Sequence, residues 1–154
     1  MDKLFRVFVG DWTVSETFQK NEFFPKGGER KGEAHFTTGT GGTSLIEDYH
    51  SNGSAGKLDF LLVIWWDSEA RVYKVFTCSN NPDNAGGLRG TARWEGDTLV
   101  NEYEETVNGK PLKFQDRFTK TSTGGITLVA GMVRAGKDFQ PSITTTYKRK
   151  ITGR

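Results

Sequence analysis

The sequence predicts an all-β protein: a single closed, antiparallel up-and-down β-barrel of about ten strands with one short N-terminal helix. Three observations carry this. Apolar and polar residues alternate with period two in segment after segment, the pattern of a pleated strand with one covered face. Turn residues punctuate these segments at roughly 10- to 14-residue intervals. The chain is also rich in threonine, with 12% aromatics to suit a pleated surface and 19 glycines to make turns. No strand–helix–strand alternation appears, which argues against a parallel sheet. Closing the meander removes its edge strands; a β-sandwich is the alternative use of the same strands.

The elements follow in order. Asp2 to Val9 places Leu4, Phe5, Phe8 and Val9 on one side of a short helix that Gly10 ends. The first strand puts Trp12, Val14, Glu16 and Phe18 on one face, and Asn21 to Arg30 reads as a loop around Pro25 and Gly27-Gly28. Ala34 and Phe36 mark the second strand, which Gly39 to Gly42 breaks. Ser44 to Ser51 is the third, with Asn52-Gly53-Ser54 turning it, and Lys57 to Trp66 the fourth. Arg71 to Ser79 is the fifth, followed by a loop from Asn80 to Gly87. Leu88 to Trp94 is the sixth, Thr98 to Val107 the seventh and Pro111 to Lys120 the eighth. Between the last two, Asn108-Gly109 is a strong hairpin signal, because both residues accept the positive φ of a type I′ turn. Ile126 to Arg134 and Phe139 to Lys150, joined by Ala135-Gly136-Lys137, complete the set.

Parity then assigns an inward face. It holds Leu88, Gly90, Ala92 and Trp94; Leu99, Asn101 and Tyr103; Leu112, Phe114, Asp116 and Phe118; Ile126, Leu128, Ala130 and Met132; and Phe139, Ile143, Thr145, Tyr147 and Arg149. The third strand stays ambiguous between Leu45, Glu47, Tyr49 and Ile46, Asp48, His50. The fourth is apolar on both faces, the pattern of a strand covered on both sides. Its outward set predicts a homodimer through that wall, with cover by the N-terminal helix as the competing account.

Composition excludes several classes. The 154 residues suit one domain over the whole chain. Charged residues are 26%, nearly balanced at a formal net charge of +2, which argues against a nucleic-acid-binding surface. No apolar run approaches the ~20 residues of a membrane helix. The one cysteine, Cys78, rules out an internal disulfide framework and reads as a small buried hydrophobe. The N-terminus does not read as a signal peptide, so a cytoplasmic setting is expected.

Gly10-Asp11-Trp12 opens the first strand just after the helical segment. This resembles the Gly-x-Trp signature of the calycins, the lipocalins and fatty-acid-binding proteins. The resemblance implies that Trp12 plugs one barrel end and that a basic residue of the last strand, Arg149, packs across it. Over nearly the whole chain, a further resemblance is to a bacterial family, domain of unknown function 1579, held to be calycin-like. It is carried by Gly10-Asp11-Trp12-Thr13-Val14-Ser15-Glu16-Thr17-Phe18, Asp48-Tyr49-His50-Ser51, Trp66-Asp67 with Val72-Tyr73, and Trp94-Glu95-Gly96-Asp97-Thr98-Leu99. It implies a fold and no reaction. The second lipocalin motif, Thr-Asp-Tyr, is absent. The Arg-x-Tyr carboxylate clamp of fatty-acid-binding proteins appears only in reverse order, as Tyr147-x-Arg149, so fatty-acid binding is not implied.

Candidate chemistry is sparse. Gly131 to Lys137 has P-loop spacing, but Asp138 stands where Ser or Thr should hold magnesium and no helix follows. Asp48 and His50, with His35 or Glu33, could offer metal ligands, yet two histidines are few; a hydrogen bond between Asp48 and His50 is the plainer expectation. Outward Glu102 and Glu104 read as a ladder with Lys113 and Arg117. Nothing supports a Ser-His-Asp triad.

Glu16 and Asp116 are different, because parity sets each among apolar neighbours. A buried carboxylate costs several kcal/mol unless paired or hydrogen-bonded. They either line a ligand cavity or pair with a base such as Arg149 at a barrel end. The candidate ligand-binding set is Glu16, Tyr49, Asn101, Tyr103, Phe114, Asp116, Met132 and Tyr147. A few polar groups on an apolar wall make a pocket for a small hydrophobic or amphipathic molecule. No metal or cofactor is predicted. The alternatives are a barrel filled by side chains, and an enzyme using Glu16, Asp116 or His50 as acid or base.

Overall fold

Ten strands close into one ring in the computed structural model, which describes residues 1–22, 24–81, 87–107, 109–134 and 138–151. The elements are α1 (Asp2–Phe8), β1 (Gly10–Phe18), β2 (Gly28–Thr38), β3 (Ser44–Gly53), β4 (Gly56–Asp67) and β5 (Val72–Ser79), then β6 (Leu88–Glu95), β7 (Thr98–Val107), β8 (Lys110–Lys120), β9 (Ile126–Val133) and β10 (Phe139–Arg149). A single 3₁₀ turn, Thr40–Gly42, joins β2 to β3. Each strand pairs antiparallel with the next, and β1 pairs antiparallel with β10, Trp12 opposite Arg149 and Phe18 opposite Ile143. An up-and-down meander closes antiparallel only with an even strand number, and ten satisfies this. The turns expected at Asn108 and at Ala135-Gly136-Lys137, and the loop around Pro82, lie outside the described residues. No described helix is long and apolar enough to cross a membrane.

The helix plugs one barrel end. Leu4 and Phe8 are buried, and Phe8 packs against Phe36 and edge-on against Phe118, with centroids 5.3 and 5.7 Å apart. Trp12 lies beneath, fully buried; its indole N–H donates to the Phe8 carbonyl at 2.8 Å and ties strand to helix. The Arg149 guanidinium sits 4.2 Å from the Trp12 ring centroid and donates to the carbonyls of Val9 and Val7. Gly10 is required between them. Its φ of +137° disfavours any side chain, and a Cβ there would lie 2.4 Å from Arg149 Nη1. The Gly-x-Trp triplet is thus one packing unit with Arg149.

Four expectations are corrected. First, the helix does not cover β4, because its apolar side is used inside the barrel end. Phe60, Leu62 and Ile64 face inward, and Leu61, Val63 and Trp65 face out, with Leu61 39% exposed. Second, Cys78 is exposed, not buried: it pairs with outward Leu61, and Tyr73 and Val75 take the inward positions of β5. Third, Phe139 faces outward, under the Arg117 guanidinium at 4.7 Å. A bulge between Pro141 and Ile143 inserts one residue, which reverses the inward and outward faces on one side of it. Fourth, β2 begins at Gly28, so Arg30 belongs to a strand and faces the interior.

Candidate functional site

Packing fills the barrel beside the helix and leaves a cavity of about 200 Å³ beyond it. The alternation of β1, β3, β7, β8 and β10 points Glu16, Glu47, Tyr49, Asn101, Tyr103, Asp116 and Tyr147 into it, and Phe60, Leu62, Phe118 and Leu128 supply apolar wall. Six of the eight predicted ligand-binding residues therefore meet at one cavity. Phe114 and Met132 do not. They line a separate recess with Glu22 and Arg134, because they sit further along β8 and β9 from the plug than the cavity wall does.

The polar side chains form two groups. In the first, Arg30 and Glu16 stand directly opposite on β2 and β1. Arg30 donates to both Glu16 oxygens, at 3.2 Å from Nε and 2.7 Å from Nη2. The Tyr49 and Ser51 hydroxyls each donate to Glu16 Oε1 at 2.6 Å. Glu16 thus has a partner, as expected of a buried acid, but the base is Arg30 and not Arg149, which is engaged at the plug.

In the second group, two acids at the cavity, Glu47 fully buried and Asp116 partly buried, have no cation. Tyr147 donates to Glu47 Oε1 at 3.1 Å, while Glu47 Oε2 has no partner. Asn101 donates to Asp116 Oδ2 at 3.3 Å, and its own Oδ1 has none. Burial, with Asp116 and Glu16 nearby, pushes Glu47 up to about 8. Burial likewise pushes Asp116 up to about 7, against the hydrogen bonds of Asn101 and Tyr103. Both shifts carry the same sign in stability. The unfolded chain loses these protons at lower pH than the folded one, so the stabilisation is complete below the ordinary carboxyl range and is lost as pH rises through about 7 and 8. Chemical denaturation at mildly acidic and mildly alkaline pH is expected to show this loss. Glu47→Gln is expected to remove much of it and to stabilise the protein at the alkaline end by at least about 1 kcal/mol.

Sequence reasoning missed Glu47, Arg30 and Ser51 as lining or network residues, and placed Thr145 inward without naming it for the site. The polar candidates outside the barrel have no share in the cavity. His50 pairs through its two ring nitrogens with Asp48 at 3.1 Å and Asp59 at 2.9 Å, and the bond to Asp59 raises its pKa. His35 bonds Asp11, and Glu33 pairs with Lys150. Among the described residues no group of three or more His, Cys, Asp or Glu is placed to hold a metal ion. Glu102 accepts from Arg93 and Gln115, so its ion-pair partner is Arg93 of β6 and not Arg117, which donates to Gln115.

A ten-stranded meander with a helix-plugged end and an interior cavity is a lipocalin-like barrel. Among solved structures the chain is similar to Rv2717c from M. tuberculosis, at 14% identity over 97% of this chain and 96% of that one, with a TM-score of 0.62. It is also similar to the S-type phycobiliprotein lyase CPES from Guillardia theta, at 13% identity over 99% and 93% of the two chains, with a TM-score of 0.47. No protein-family profile matches the sequence, and no curated protein matches it.

Proposed function

We propose that this protein binds a small amphipathic molecule inside the barrel. The observation that supports it most is the mixed lining of one interior cavity, where apolar side chains surround a few buried polar groups. Apolar wall supplies affinity and polar groups fix orientation. At about 200 Å³ the cavity is smaller than the 300–1,000 Å³ usual for drug-sized ligands, so the molecule is a small one.

Native mass spectrometry of gently purified protein, followed by a thermal-shift screen of small metabolites, tests this. A ligand at a hundredfold excess over Kd adds about 2.7 kcal/mol. For a chain of this size that raises Tm by roughly 5–10 °C. Ala130→Phe, which places a ring in the cavity, is expected to abolish the shift and leave a cooperative melt. If no compound moves the melt and Ala130→Phe changes nothing, the barrel is a structural or interaction module.

One observation favours a second reading. A carboxyl near 7, as burial makes Asp116, is suited to taking or giving a proton at neutral pH. The cavity would then be an active site with Asp116 as acid or base. Glu16 has no such role beside Arg30, and His50 lies outside. Turnover of a bound compound, lost in Asp116→Asn while binding persists, marks this reading.

A further inference from the structure

We infer that the molecule bound in the cavity is a small organic cation, an ammonium whose charged head sits between Glu47 and Asp116. The inference rests on the binding reading above and narrows it.

Unmet hydrogen bonding is the starting point. Glu47 is wholly buried and its Oε2 has no partner; Asn101 is nearly so and its Oδ1 has none. Buried polar atoms are rarely left this way, because each costs the desolvation of a polar group with nothing in return. Both orphans accept hydrogen bonds. Among the described residues the protein supplies no donor to Oε2. What is missing is a donor, and an ammonium brings three.

Charge selects the same class. Among the described residues that line the cavity, Arg30 is the one cation, and it bonds Glu16 through two nitrogens. Against it stand three carboxyls: Glu16, Glu47 and Asp116. An anionic ligand would meet acids and no unengaged cation. A neutral ligand would leave both acids without a charged partner. A cation instead supplies the partner that a buried carboxylate needs.

The walls fit as well. Rings of Tyr49, Phe60, Tyr103, Phe118 and Tyr147 line the space, and desolvated cations are attracted to aromatic faces. The hydroxyls of Tyr49 and Tyr147 are turned to Glu16 and Glu47.

Binding is then linked to protons. Burial keeps Glu47 largely and Asp116 partly protonated at neutral pH. The groups facing them are Glu16, Arg30, Tyr49, Tyr103 and Tyr147, and burial holds the three tyrosines protonated. A cation favours the ionised carboxyls and expels their protons, so affinity rises with pH and heat depends on the buffer's ionisation enthalpy.

Two matched probe sets test this by calorimetry on the full chain: phenethylamine, phenethyl alcohol and hydrocinnamate; and hexylamine, hexanol and hexanoate. At least one amine is expected to bind about tenfold or more tighter than its alcohol and its acid. Its affinity is expected to rise about tenfold from about pH 6 to about pH 8. Glu47→Gln and Asp116→Asn, each with its fold checked by urea melts, are expected to remove that preference, so that amine and alcohol bind alike. If in both sets the alcohol or acid binds as tightly as the amine, the cation is overturned and the cavity reading stands. Preference that survives in whichever of the two variants folds also overturns it. If no probe of any charge binds at millimolar concentration, both readings fail together.

Discussion

Trp12→Ala is expected to cost about 3–5 kcal/mol, the range for truncating a fully buried large aromatic. Trp12 is 0% exposed and holds three parts of the molecule at once. Its indole N–H binds the last turn of α1 through Phe8, its face carries Arg149 of β10, and its edge meets Tyr147 at 6.4 Å between centroids. Alanine removes the ring and leaves a void under a seven-residue helix too short to hold itself. Arg149 keeps its bonds to the Val7 and Val9 carbonyls, so the plug loosens and the ring of strands survives. Urea melts should therefore show a lower midpoint and a Tm lower by roughly 10 °C, with strand content retained by circular dichroism. Trp12→Phe separates the contributions: it keeps most of the bulk, loses the N–H, and should cost no more than about half as much. A loss below about 1 kcal/mol for alanine would mean that the plug is not part of the folded core.

The plug was legible in the sequence through the Gly-x-Trp resemblance, which implied Trp12 at a barrel end with Arg149 across it; the β1–β10 register, with Trp12 opposite Arg149, brings the two together. Apart from Tyr49 on the ambiguous third strand, the site was legible where one face of a strand was clearly more apolar. Asn101, Tyr103, Asp116 and Tyr147 met that condition. Glu47 did not, since β3 alternates Leu45-Glu47-Tyr49 with Ile46-Asp48-His50, and the two faces are equally mixed. Its facing is decided by pairing with β2 and β4, where Glu47 stands opposite Phe36 and Leu62. Arg30 was hidden by Pro25 and Gly27-Gly28, which read as a loop up to the residue where pairing with β1 already holds. The outward turn of Phe139 did have a signal. Pro141 lies inside a strand pattern, and proline there marks a bulge, across which parity must be counted afresh.

Arg30→Met is expected to cost about 3–5 kcal/mol near neutral pH, because it leaves the Glu16 charge buried without its cation. The side chain keeps similar length, so the change is chiefly electrostatic. Glu16 retains the Tyr49 and Ser51 hydroxyls, which orient it but bring no charge. The sign of the pH response follows. In the variant, burial without a partner favours protonated Glu16 in the folded state over the unfolded one. The variant is therefore most stable at acidic pH and loses stability as pH rises through the pKa that burial imposes, so its deficit against the parent narrows on acidification. Arg30→Met combined with Glu16→Gln should recover most of the loss, since replacing both members of a buried pair is often close to neutral. Coupling between the two sites, read from urea melts of the parent, both single variants and the double variant, should reach about 2 kcal/mol or more. A coupling near zero, or a deficit that widens as pH falls, would show that Glu16 does not depend on Arg30 for its charge. The cavity floor would then be held by the hydroxyls of Tyr49 and Ser51 alone.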